Sequence, residues 1–171
     1  KLALSFNKLN DDDAACLAEG LTHNKNLVEL DLRANNIRDK GAEILANDVV
    51  MHAPKLRKFC LYGNPLGEIG AKSLLAAIKI NTELHVMNMD YSLSVYDETQ
   101  YYAYLNQVGR RLLKKRDFHP ALWTVVMERA KRISLETRGV CTEADLIYPF
   151  VRDPAVFNAW QQSKEDKTEK R

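Results

Sequence analysis

Few residues of this 171-residue chain have types and spacings that suit chemistry. The densest carboxylate cluster is Asp11-Asp12-Asp13. A calcium loop needs spaced oxygen ligands around a central glycine, and this run has neither. Three consecutive acids suit a helix start, where negative charge meets the positive end of the helix dipole. Cys16, Cys60 and Cys141 are odd in number and far apart, and His23, His52, His85 and His119 are scattered. The sequence has no CxxC pair, zinc-ligand spacing, Ser/His/Asp order or phosphate-binding glycine loop. It therefore predicts no catalytic residue, metal or cofactor, and no small-molecule substrate. The simplest state of the thiols is reduced, which places the chain inside a cell, the cytoplasm by default. A missing N-terminus leaves organellar import open.

The one dense cationic run is Arg110, Arg111, Lys114, Lys115 and Arg116, five basic residues in seven. Such a patch can attract an acidic protein, nucleic acid or anionic lipid. It has no interleaved aromatic platform. Leu112 and Leu113 interrupt it, which suits an amphipathic connector with a solvated basic face. We favour that reading, then an acidic protein partner, with nucleic acid and lipid last.

The elements that must position these residues come from composition and pattern. The chain is 46% hydrophobic and 28% charged, with 7 Gly and 5 Pro, which excludes collagen-like, low-complexity and wholly disordered classes. No apolar run approaches the roughly 18 residues of a membrane-spanning helix. The net charge of +2 conceals segregation. Residues 1–104 carry 11 Lys and Arg against 14 Asp and Glu, and residues 105–139 carry 9 against 3.

An internal repeat dominates the first part. Leu2-Ala-Leu4-Ser-Phe-Asn7, Leu30-Asp-Leu32-Arg-Ala-Asn35 and Phe59-Cys-Leu61-Tyr-Gly-Asn64 superimpose, with the asparagines 28 and then 29 residues apart. Six residues after each Asn stand Asp13, Gly41 and Gly70; ten after, Leu17, Leu45 and Leu74; fourteen after, Leu21, Val49 and Ile78. Leu27, Leu56 and Leu84 open the following units. A degenerate fourth unit, Met87-Asn-Met89-Asp-Tyr-Ser92, has Ser where Asn is expected. The alternating leucines predict a short strand and the four-residue spacing an amphipathic helix. Asn7, Asn35 and Asn64 sit where the chain turns, and a side-chain amide there can satisfy backbone groups. No single unit buries its apolar face alone, so units must stack.

This pattern, over residues 1–104, resembles the leucine-rich repeat, and its 28–29-residue length resembles the ribonuclease-inhibitor-like subclass. The resemblance implies an α/β solenoid, with parallel strands on a concave face and helices on a convex face. It also implies a cap before the first strand; none is present, so the chain reads as the C-terminal part of a longer protein. Residues flanking the inward leucines should line the concave face: Ala3 and Ser5; Glu29, Asp31 and Arg33; Lys58, Cys60 and Tyr62; Val86, Asn88 and Asp90. Glu29, Asp31, Arg33, Lys58, Tyr62, Asn88 and Asp90 form the candidate partner-binding set, centred on the Arg33–Tyr62–Asp90 row. The alternative is a solvated face with an internal Arg33–Asp31 or Arg33–Asp90 pair.

Residues 105–160 predict a helical C-terminal cap and residues 161–171 a disordered polar tail. Pro120 suits the first turn of a helix. Ala121–Ile133 is apolar nearly all round, so it should be covered on more than one side. Thr142 and Asp145 are spaced as a capping box opening another helix. The order of residues 106–150 resembles a block in leucine-rich-repeat proteins of diatoms and related stramenopile algae. The leucine-rich-repeat resemblance implies a non-catalytic protein-interaction module or scaffold, or a subunit of a larger assembly, that binds through the concave face. Activation of a small GTPase is the alternative, and anion binding through residues 110–116 the next.

Overall fold

The structure is a computed structural model, and it describes residues 1–111, 122–138 and 141–152. The chain forms two compact units, Lys1–Ala103 and Tyr104–Arg171. In the first, β1 (Leu2–Ala3), β2 (Glu29–Asp31), β3 (Lys58–Cys60) and β4 (Val86–Asn88) lie side by side in chain order, all parallel. Parallel neighbours require a crossover, and a helix supplies each one. These helices are α1 (Asp11–Leu21), α2 (Asp39–Ile44) and α3 (Glu68–Ile80). Leu30, Phe59 and Met87 share one register and point into the core, where they meet Ala42, Leu45, Leu74 and Ile78. The result is an α/β unit with parallel strands and helices.

The repeated asparagines knit adjacent units. Asn35 is 4% exposed. Its Oδ1 accepts the N–H groups of Asn7 and Leu9, both at 3.0 Å. Its Nδ2 donates to the carbonyls of Leu4 and Leu32, both at 2.9 Å. Asn64 repeats the arrangement: its Oδ1 accepts Ile37 N–H at 3.0 Å, and its Nδ2 donates to Leu32 O at 2.9 Å and Leu61 O at 2.7 Å. Asn7 is exposed and donates to Ser5 O. The preceding residues Phe6, Ala34 and Gly63 all have positive φ, at 61°, 50° and 76°. The turn therefore recurs in backbone conformation, although only one unit uses glycine there.

A second ladder links the helix starts. Asn10 caps α1 with a full capping box, its Oδ1 taking the N–H groups of Asp12 and Asp13 while Asp13 takes that of Asn10. Neither α2 nor α3 has a side-chain cap of its own. The first residue of the preceding helix supplies the acceptor instead. Asp11 Oδ1 accepts Arg38 N–H at 2.7 Å, and Asp39 Oδ1 accepts Gly67 and Gly70 N–H at 2.9 Å each. Glu68 accepts both the N–H and the hydroxyl of Ser94. Those two Ser94 bonds, the hydroxyl's first, hold the Glu68 carboxyl below the usual range.

The 29-residue unit accommodates its extra residue in a π-helical segment, Leu45–Val50, that continues α2. In α3 the buried residues run Gly70, Ala71, Leu74, Leu75, Ala77, Ile78; in the second repeat they run Gly41, Ala42, Leu45, Ala46, Val49, Val50. The last pair slips by one, across the exposed Asn47 and Asp48. Val50, not Val49, is thus the counterpart of Ile78, which corrects the fourteenth-residue register. A single-residue bulge of this kind leaves the following chain in register. Deleting Asp48 is therefore expected to leave the thermal midpoint within about 5 °C of the native value. Deleting Ala76 from the regular α3 is expected to abolish cooperative melting, both read by circular dichroism.

In the second unit, α5 (Leu122–Glu136) packs on α6 (Glu143–Arg152). Thr142 and Asp145 make the reciprocal bonds of a capping box: Thr142 N–H to Asp145 Oδ2 at 2.9 Å and Asp145 N–H to Thr142 Oγ1 at 3.2 Å. Along α5, Val126, Ala130 and Ile133 are buried, whereas Val125 and Met127 are exposed. Among the described side chains of α5 the covered ones fall along one stripe, where the sequence predicts cover on more than one side. The start at Pro120 lies outside the described residues, as do positions 161–171. The remaining described helix, α4, spans Tyr96–Val108.

Candidate functional site

The site begins with strand alternation. Because Leu30, Phe59 and Met87 face the helices, their neighbours face away from them. Register aligns Glu29, Lys58 and Val86 in one row and Ala3, Asp31, Cys60 and Asn88 in the next. The ladder continues past the strands. Leu32 N–H donates to Cys60 O and Ala34 N–H to Tyr62 O, both at 2.9 Å, and Leu61 N–H to Asn88 O at 2.6 Å. Arg33 and Tyr62 therefore stand in one row, with Asp90 two residues beyond the paired Asn88.

The two halves of this face differ in how their charges are paired. Over β1 and β2 the charges satisfy one another. Arg33 grips Asp31 with two parallel bonds, Nε to Oδ1 at 2.8 Å and Nη2 to Oδ2 at 2.6 Å. Hydrogen bonding from Arg33 holds the Asp31 carboxyl below its usual range. Lys1 Nζ meets Glu29 Oε2 at 2.9 Å, and that bond likewise lowers Glu29. Asp90 is half-buried, its Oδ1 accepting the N–H and hydroxyl of Ser92 at 3.1 and 3.0 Å. The internal pair that forms is Arg33–Asp31, so Arg33 is not a free anchor at the centre of the row.

Over β3 and β4 the face is open. Lys58, Tyr62, Val86 and Asn88 are exposed. Tyr62 retains 46% of its surface. Cys60, between Lys58 and Tyr62, is buried at 2%. Burial pushes its thiol up, outweighing the nearby Lys58. Burial raises Cys141 as well. An exposed thiol reacts first, so a thiol reagent is expected to label Cys16 and to reach Cys60 and Cys141 only on unfolding. Mass spectrometry of the labelled protein, with and without denaturant, checks this.

The basic run is only partly in view. Arg110 is 9% exposed with its Nε buried, so it is not part of a solvated patch. Arg111 is exposed. Lys114, Lys115 and Arg116 lie outside the described residues. Asp11, Asp12 and Asp13 open α1 in the helix-start role. No group of three His, Cys, Asp or Glu is placed to hold a metal ion, and no helix is long and apolar enough to cross a membrane, among the described residues.

Two sets of residues escaped sequence reasoning. The helix-start carboxylates had a signal: the fourth residue after Asn7, Asn35 and Asn64 is acidic each time, as Asp11, Asp39 and Glu68. The second set pins the loop before a strand. Asn24 Oδ1 accepts Asn26 and Leu27 N–H, and Asn81 Oδ1 accepts Glu83 and Leu84 N–H. Each Asn stands three residues before an opening leucine, and Ala53 breaks the series.

Comparison with curated proteins finds no match. Residues 23–46, spanning β2, Asn35 and α2, match the leucine-rich-repeat family, and the match supports a leucine-rich-repeat protein.

Proposed function

We propose that residues 1–104 form a leucine-rich-repeat solenoid of the ribonuclease-inhibitor-like subclass, with residues 105–160 as its helical C-terminal cap. In this reading the exposed sheet face binds another protein, as a scaffold or within a larger assembly. Leucine-rich repeats commonly serve as protein-interaction modules and are generally non-catalytic, and the matched segment contributes β2 to this face. The observation that carries the reading is the face itself. Its side chains stand in aligned rows on a hydrogen-bonded ladder, with an exposed tyrosine and lysine over β3. Such a surface binds with little loss of backbone freedom.

The test is affinity capture with quantitative mass spectrometry. The native chain is compared with the triple variant Lys58→Ala, Tyr62→Ala, Asn88→Ala and with Lys72→Ala, an exposed change on α3. Specific partners are expected to fall by at least about tenfold with the triple variant and to persist with Lys72→Ala. If every captured partner survives the triple variant, the sheet face is not the binding surface.

A further inference from the structure

We infer that the β3–β4 half of the sheet face takes an extended acidic peptide segment of a partner protein, with a carboxylate on Lys58 and an apolar side chain on Tyr62. This rests on the sheet-face reading above and adds the chemistry of the partner. The argument is charge complementarity. On this face Lys1 is bonded to Glu29 and Arg33 to Asp31, while Asp90, in the row of Tyr62, accepts from Ser92 and keeps its charge, so the acid belongs at the Lys58 end and the apolar side chain at the Tyr62 end. Lys58 Nζ has no hydrogen bond or ion pair among the described residues. Glu29, its register neighbour on β2, is already held by Lys1. One cation thus remains to be matched, and it selects a carboxylate.

The neighbours extend the match. Asn88 is exposed, and its amide makes no hydrogen bond among the described residues. An amide offers a donor and an acceptor together, which suits the carbonyl and N–H of an extended backbone. Tyr62 lies four residues beyond Lys58, past the end of β3, at most about 13 Å away at an extended rise per residue. A four- or five-residue extended segment covers that distance. Val86, 39% exposed and in register with Lys58, flanks the acid with apolar surface. Arg33, although exposed and cationic, contributes little, because a new carboxylate must compete with a bidentate bond already made.

The test pans the full chain against a random phage-displayed dodecapeptide library and measures synthetic winners by fluorescence anisotropy. Winners are expected to carry Asp or Glu at a fixed place beside an apolar residue. Their affinity should fall about five- to tenfold with Lys58→Ala and further with Lys58→Glu, and recover when the peptide acid becomes Lys. Arg33→Ala should stay within about twofold. Winners without acidic enrichment, indifferent to Lys58 yet lost with Tyr62→Ala, overturn this inference and leave the sheet-face reading standing. Winners indifferent to Lys58, Tyr62 and Asn88 alike overturn both. Failure to select any peptide overturns the acidic-segment inference.

Discussion

Asn35→Ala is expected to lower the unfolding free energy by about 3–4 kcal/mol, measured by urea denaturation. The side chain is nearly fully buried and holds groups from two units at once: Asn7 N–H, Leu9 N–H, Leu4 O and Leu32 O. Each buried backbone group left unpaired costs about 1–3 kcal/mol. The sum is reduced because Asn7 is exposed, so part of the vacated site rehydrates. A loss of that size is a large part of the roughly 5–15 kcal/mol that holds a domain folded. Asn35→Asp should rescue little, since a carboxylate replaces the two donated bonds with acceptor facing acceptor. Asn7→Ala, which loses one exposed bond to Ser5 O, should cost less than about 0.5 kcal/mol. Asn7 therefore differs widely in effect from Asn35, although the two are equivalent by sequence, and the difference is set by whether a neighbouring repeat's backbone surrounds the amide.

That contrast shows what sequence could and could not deliver. The strand and helix of each unit were legible because alternation and four-residue spacing report a buried face directly. The cap at Thr142 and Asp145 was legible because both partners lie within one turn. Links between units were harder. Asp39 bonds Gly67 and Gly70, 28 and 31 residues away, and only a column-by-column comparison of the units exposes the acidic fourth position. The π-helical turn was invisible as geometry, although the 29-residue spacing announced that one residue had to go somewhere. For the candidate site, alternation placed Lys58, Tyr62 and Asn88 on the exposed face. It could not say that Arg33 would choose Asp31, nor that Cys60 would be covered, since both depend on which side chains lean across neighbouring strands. Arg110 failed for a related reason: a run of basic residues reports composition, while burial of one member depends on how the chain just after α4 packs.

Gly70→Ala is expected to cost about 2–3 kcal/mol, and Gly20→Ala to stabilise by about 0.5–1 kcal/mol, both read by urea denaturation. The same substitution takes opposite signs because of what a new Cβ meets. At Gly20, in α1, nothing lies within 4 Å, so only the backbone entropy gain remains. At Gly70 the Cβ would stand 2.9 Å from Asp39 Cα, 2.9 Å from Asp39 Oδ1 and 2.8 Å from Leu66 Cδ1. Leu66 can rotate away, but Asp39 Cα belongs to the backbone of α2 and moves only if α2 and α3 separate. Separation stretches the bonds from Gly67 and Gly70 N–H to Asp39 and opens the apolar contact between the helices. Removing the carboxylate relieves one clash and not the backbone one. Asp39→Ala combined with Gly70→Ala should therefore cost less than the two single changes added, yet more than Gly70→Ala alone. A strictly additive result would mean that the carboxylate and the glycine act separately, and the close approach of α2 to α3 would then need a different cause.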